Sequence, residues 1–177
     1  MSRGTVLWPD IATSRRIREL WAALEAEGVP SMATHTHRLH RPHVSFIVAE
    51  DLPVNASLEA VMSVPQEPIR LLVEAVGVFP GGFLYLACVA NHALLDEQRR
   101  VCEAVRLLAV DPWPHFEPGE WTPHITLGWE LTNRQLAQAL PIVLGNLPIE
   151  GWLDHGGVED GTTGENWTFP HRASDCN

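Results

Sequence analysis

In the N-terminal part of the chain, apolar residues recur with the period of a helix. Ile17, Leu20, Trp21 and Leu24 stand at i, i+3, i+4 and i+7, which predicts an amphipathic helix over residues 14–27. Thr13 or Ser14 suits its N-cap, and Gly28 with Pro30 its stop. Ahead of it, Thr5–Trp8 reads as a short strand ended by Pro9. After it, the polar, histidine-rich stretch THTHRLHRP leads into an apolar strand, HVSFIV. Asn55 predicts the cap of a second helix reaching about Val64. PIRLLVEAVGVF and FLYLACVA then flank Pro80-Gly81-Gly82, a hairpin signal. A third helix is predicted over 93–109, with Leu94, Leu95, Val101, Cys102, Val105 and Leu108 on its apolar side. Residues 110–121, VDPWPHFEPGEW, carry three prolines and read as loop. The strand HITLGW follows, then a helix capped by Thr132 and two strands around the glycine-rich turn 161–164. The tail 171–177 reads as frayed.

The two halves of this order match. TVLW, helix, loop, PHVSF, helix, strand, glycine turn and strand is answered by FLYLACVA, helix, loop, PHITL, helix, strand, glycine turn and strand. Repetition around near-identical pentapeptides predicts an internal duplication with pseudo-two-fold symmetry. Two copies make no solenoid; they predict a bilobal domain with a central groove.

A length of 177 residues fits one domain, 1–177, able to bury a core without disulfides or a structural metal. The apolar and charged fractions, 45% and 19%, are those of a folded globular protein. Cys88, Cys102 and Cys176 are odd in number and scattered, which argues against a disulfide scaffold and against a zinc ribbon; Cys88 and Cys102 read as small buried hydrophobes. No apolar run approaches the roughly 20 residues of a membrane span, and the N-terminus lacks the apolar core of a secretion signal. A cytoplasmic protein without membrane contact or obligate protein partner is expected.

Charge narrows the chemistry. The net charge is −10, and all twelve basic residues are arginine. Holding long nucleic acids calls for a basic face, so a small nucleotide or an RNA 3′ end is the better substrate for such a chain. Without lysine, Walker-type phosphate loops, Schiff bases and nucleotidyl-lysine ligases are excluded.

On a strand, residues i and i+2 share a face. His43 and Ser45 therefore point one way while Val44 and Phe46 point into the core, and His124 and Thr126 do the same against Ile125 and Leu127. If the pseudo-two-fold axis brings the strands together, two imidazoles and two hydroxyls line one groove. That set suits phosphodiester cleavage. One neutral imidazole takes a proton, the opposite imidazolium gives one, and the hydroxyls donate to the non-bridging phosphate oxygens. No metal or other cofactor is required. A lone His-x-Thr would equally suit a core histidine bonded to a carbonyl; two copies at equivalent places in a duplicated chain favour catalysis.

PHVSF and PHITL resemble the paired His-x-[Ser/Thr]-x motifs of the two-histidine (2H) phosphoesterases, specifically the bacterial LigT-like, or 2′-5′ RNA ligase, family. The resemblance extends over nearly the whole chain, with motifs at 43–46 and 124–127. It implies a bilobal α+β LigT-like fold of two duplicated units, with antiparallel sheets around the groove. It further implies metal-independent hydrolysis of 2′,3′-cyclic phosphodiesters to 2′-phosphates, and reversible 2′-5′ RNA ligation in some members. On this resemblance His43 and His124 are the acid/base pair, and Ser45 and Thr126 the phosphate ligands. Where RNA-directed members often carry a basic residue shortly after the second motif, this chain reads Gly128-Trp129-Glu130, which with the acidic balance weighs against RNA as the substrate more than against the chemistry.

Other residues carry weaker signals. His35, His37, His40 and His43 could hold a metal, but the cluster has no carboxylate and reads as a polar edge strand. Arg41 and Arg38 are candidates for the groove entrance. Trp113, His115 and Phe116 could stack on a base or simply pack their loop, and Tyr85 and Trp8 are further groove candidates. Three functions stay open: a cyclic phosphodiesterase, a 2′-5′ ligating or RNA-end-trimming enzyme, and a non-catalytic nucleotide-binding domain.

Overall fold

The computed structural model describes residues 2–62 and 67–169. The elements are β1 (Arg3–Pro9), α1 (Ile11–Ala26), β2 (Val44–Asp51), α2 (Val54–Met62), β3 (Ile69–Phe79) and β4 (Phe83–Cys88). They continue with α3 (His92–Val105), β5 (Val110–Pro112), β6 (His124–Gly128), α4 (Asn133–Leu144), β7 (Ile149–Asp160) and β8 (Asn166–Thr168).

All strand pairs are antiparallel and form one curled sheet in the order β5-β2-β1-β7-β3-β4-β6, with β8 paired to β7 off that path. The order is palindromic about the β7–β3 seam. Exchanging β1 with β4, β2 with β6 and β3 with β7 maps β2-β1-β7 onto β6-β4-β3. The helices obey the same exchange, since α1 packs with α4 and α3 with α2. This is the duplicated α+β fold expected from the matched halves.

The elements form for local reasons. Ile17, Leu20, Trp21 and Leu24 are all at most 2% exposed, and each such burial contributes roughly 1.5–3 kcal/mol. Helix α1 starts earlier than its apolar period suggests. Asp10, rather than Thr13 or Ser14, is the N-cap, its carboxylate accepting the Thr13 N–H at 2.8 Å. Ile11 in the first turn is exposed, so the apolar stripe carries no sign of that start. Gly28, at φ 77°, ends the helix as expected.

Helix α2 begins at Val54, one residue before the expected cap Asn55. Its expected end at Val64, and the tail 171–177, lie outside the described residues. Helix α3 is capped by Asn91 and is shorter than expected at its C-terminal end. Leu95 is exposed, while Glu97 and Gln98 are buried in its place. The reason lies in Gln98, whose Nε2 donates to the Phe46 and Phe116 carbonyls at 3.1 and 2.7 Å, so a polar side chain is satisfied in the core. Cys88 and Cys102 are buried, and burial pushes both thiols up to about 12. The proline-rich segment is not wholly loop. Residues 110–112 form β5 on the free edge of β2, and Pro114–Phe116 is a single 3-10 turn. The hairpin turn needs glycine at 82: φ is 82°, and a Cβ there would lie 2.2 Å from the Leu131 carbonyl oxygen.

Candidate active site

The two motifs keep the strand alternation. Val44, Phe46, Ile125 and Leu127 are buried, and His43, Ser45, His124 and Thr126 are half-buried on the opposite face. All four of these polar residues line one groove of about 1000 Å³. The curl of the sheet brings β2 and β6, distant in strand order, near each other at the groove. Trp121 Nε1 donates to the Ser45 carbonyl at 3.0 Å, and Trp21 Nε1 to the Thr126 carbonyl at 3.3 Å. An indole thus caps the main chain of each hydroxyl residue.

Each histidine is fixed from behind by the same device. His43 Nδ1 lies 2.8 Å from the Arg41 carbonyl oxygen, and His124 Nδ1 lies 2.7 Å from that of Thr122. A carbonyl can only accept, so both rings carry Nδ1–H, and in the neutral ring Nε2 is the basic nitrogen. Pro42 and Pro123 intervene in the two segments. Proline biases the residue before it to extended backbone, which suits the folding back of that residue's carbonyl toward the ring.

The environments of the rings differ. His124 packs edge-on to Phe79 and Tyr85, with centroids at 5.0 and 5.4 Å. Burial holds His124 below the ordinary histidine value; the Thr122 carbonyl opposes this, and His43 and His115 add to it. His43 has instead a carboxylate as neighbour, with Glu159 Oε2 at 3.4 Å from Nδ1.

Of the other candidates, Arg41, Trp113, His115, Phe116 and Tyr85 line the groove. Arg41 lies over the Trp8 ring at 4.4 Å and donates to Asn166 Oδ1 at 3.2 Å. Trp8 itself is 1% exposed, behind the wall rather than in it. Arg38 is exposed, in left-handed backbone at φ 61°. The histidine cluster is not an edge strand but an irregular segment at the groove rim, where His35 stacks on Trp129 and His37 contacts His40. Among the described residues no group of three or more His, Cys, Asp or Glu is placed to hold a metal ion. Glu159, Phe79, Phe83 and Trp129 also line the groove; only Trp129, just after the second motif, stood in a segment the sequence singled out. No helix among the described residues is long and apolar enough to cross a membrane.

A duplicated, curled antiparallel sheet with helices paired across a pseudo-two-fold axis, and two His-x-[Ser/Thr] motifs lining one groove, defines the LigT-like class of α+β folds. Residues 3–158 match the model of the 2′-5′ RNA ligase superfamily, and the chain belongs to that family of two-histidine phosphoesterases and RNA ligases. The structure is similar to that of Usb1 from Kluyveromyces marxianus, with 13% sequence identity and a TM-score of 0.52 over 96% of this chain and 98% of that one. The structure of the same Usb1 with uridine monophosphate gives a TM-score of 0.54 at 10% identity over the same shares of the two chains. Comparison with curated protein sequences finds no match.

Proposed function

We propose that this protein is a cytoplasmic, metal-independent phosphodiesterase that opens 2′,3′-cyclic phosphodiesters of small nucleotides or RNA 3′ ends to 2′-phosphates. The observation that carries the reading is the shared anchoring of His43 and His124. Both rings line one groove with Nδ1 tied to the carbonyl two residues upstream, which leaves Nε2 of each as the nitrogen for chemistry. One Nε2 takes a proton from water as its oxygen attacks phosphorus. The other gives a proton to the ribose 3′ oxygen as the P–O bond breaks. Ser45 and Thr126, one strand repeat from each histidine, donate to the non-bridging oxygens and hold the phosphorus in line. No cofactor enters these steps.

A second reading, an RNA-end processing enzyme or 2′-5′ ligase, draws support from the superfamily and from the similarity to Usb1. Uridine monophosphate held by that Usb1 supports an occupant of nucleotide size. Both readings are tested by product analysis after incubating the protein in EDTA with 2′,3′-cyclic mononucleotides and with short oligoribonucleotides. Formation of 2′-phosphates in EDTA is expected. Complete loss of turnover in EDTA, restored by a divalent ion, would overturn the metal-independent reading. Ligated 2′-5′ products as the main outcome would favour the second.

A further inference from the structure

The two histidines share an anchor but not an environment: aromatic rings pack on His124, and a carboxylate stands beside His43. Glu159 sits near the C-terminal end of β7, opposite Gly4 of β1 and Asn166 of β8, and is 6% exposed. Its Oε2 is buried and, among the described residues, has no hydrogen-bond partner. A carboxylate in that state is unfavourable unless a cation compensates it. The groups on the surrounding elements are few. Arg3 of β1 is engaged by Asp160 and Asp51 at 3.0 and 2.8 Å. Asn166 of β8 carries no charge and accepts from Arg41. Arg41, in the segment before β2, is drawn onto the Trp8 ring and toward His155 Nε2, and its charge also acts on Glu159, compensating it in part. His43 is the titratable ring within ionic reach, at 3.4 Å. His40, further along the rim, interacts with His43 as a like charge.

We propose that Glu159 is a positioning residue that stabilises the imidazolium form of His43, making His43 the general acid and His124 the general base of the two-histidine reaction. The inference rests on the proposed function and gives it a direction. His124, packed against Phe79 and Tyr85, is the ring disfavoured as a cation, so its Nε2 accepts the proton of the attacking water. The water oxygen bonds to phosphorus, the bond from phosphorus to the ribose 3′ oxygen breaks, and that oxygen takes the proton from His43 Nε2. Exchange with bulk water then returns a proton to His43 and removes one from His124.

Two measurements test this. In the wild-type protein, imidazole nitrogen NMR across pH should show His43 keeping its proton to higher pH than His124. In Glu159→Gln, which keeps shape and removes charge, the alkaline limb of the pH–rate profile should move to lower pH. The turnover number should fall about tenfold with KM nearly unchanged. That loss is well short of the ~10⁴-fold seen where a carboxylate alone sets the tautomer, since the Arg41 carbonyl still holds Nδ1 here. Glu159→Asp should restore the limb toward wild type. His124 holding its proton to higher pH than His43, or an alkaline limb unmoved in Glu159→Gln, would overturn the assignment. Comparing the His43 nitrogen signals of the wild type with those of Glu159→Gln reads the Glu159 relation even if no cyclic phosphate is turned over, so failure of the phosphodiesterase reading is separately visible.

Discussion

His43 and His124 are held by one construction repeated: each ring donates through Nδ1 to the carbonyl two residues upstream, at 2.8 and 2.7 Å, across an intervening proline. Two histidines in a duplicated chain thereby reach one groove in the same tautomer, each with Nε2 as its second nitrogen.

Removing either ring should therefore remove half of a single proton-transfer device. His43→Ala and His124→Ala are each expected to lower turnover of a 2′,3′-cyclic mononucleotide by at least about 10²-fold. The double variant should lose little more than the worse single one, as groups acting as a unit do. Ser45→Ala and Thr126→Ala should each cost less, about 1.5–3 kcal/mol for a hydrogen bond to a charged phosphate. Steady-state kinetics on the four variants check this, and near-normal rates in both histidine variants would remove the mechanism.

The charge around the groove sets a second expectation. Among the described residues, Arg3 and Arg41 are the arginines lining it, against Glu120, Glu130 and Glu159. A substrate with one phosphodiester is expected, with kcat/KM not rising as the RNA is lengthened. With one phosphate neutralised, raising salt from about 50 to 200 mM should weaken binding less than about threefold, against 10³–10⁵-fold for proteins making 6–10 phosphate contacts. A steep salt dependence with preference for long RNA would contradict it.

Gln98 joins the two motif-bearing regions. Its Nε2 bridges the Phe46 carbonyl of β2 and the Phe116 carbonyl of the turn that carries His115. Gln98→Leu would leave these buried carbonyls only the weak Cys102 thiol donor, at 3.3 and 3.7 Å, a loss of about 1–3 kcal/mol. Thermal unfolding should show the midpoint lowered by several degrees. An unchanged midpoint would mean that the bridge contributes nothing.

Acid stability should depend on the rim. Burial first, and then His37, His43 and His35, push His40 down from 6.5 to about 4. The folded state thus resists protonation that the unfolded chain accepts. The resulting stability is fully present above the unfolded value of 6.5, is lost as pH falls toward 4, and changes little below that. Discounted for the partial exposure of the ring, the loss is on the order of 1–2 kcal/mol. Unfolding midpoints from pH 7 to 4 should show this slope in the wild type and a shallower one in His40→Asn. Equal slopes would exclude His40 as the source.

The sequence by itself determined what depends on near neighbours. The period of α1, the hairpin at Gly82 and the alternation that separates His43 and Ser45 from Val44 and Phe46 are short-range patterns, and the matched order of two halves is a repetition of such patterns along the chain. The start of α1 at Asp10, the shortened α3 and the strand β5 escaped that reading. Each is decided by a polar or edge contact rather than by apolar period. Tertiary structure decided the asymmetry of the groove. Inserting β7 between β1 and β3 sets Glu159 beside His43, and curling the sheet brings Trp21 and Trp121 to the carbonyls of Thr126 and Ser45. Such pairings join residues far apart in the chain, and what selects them is the burial of one apolar sheet face while the other closes around the groove. That is a property of the whole sheet, which no local window contains.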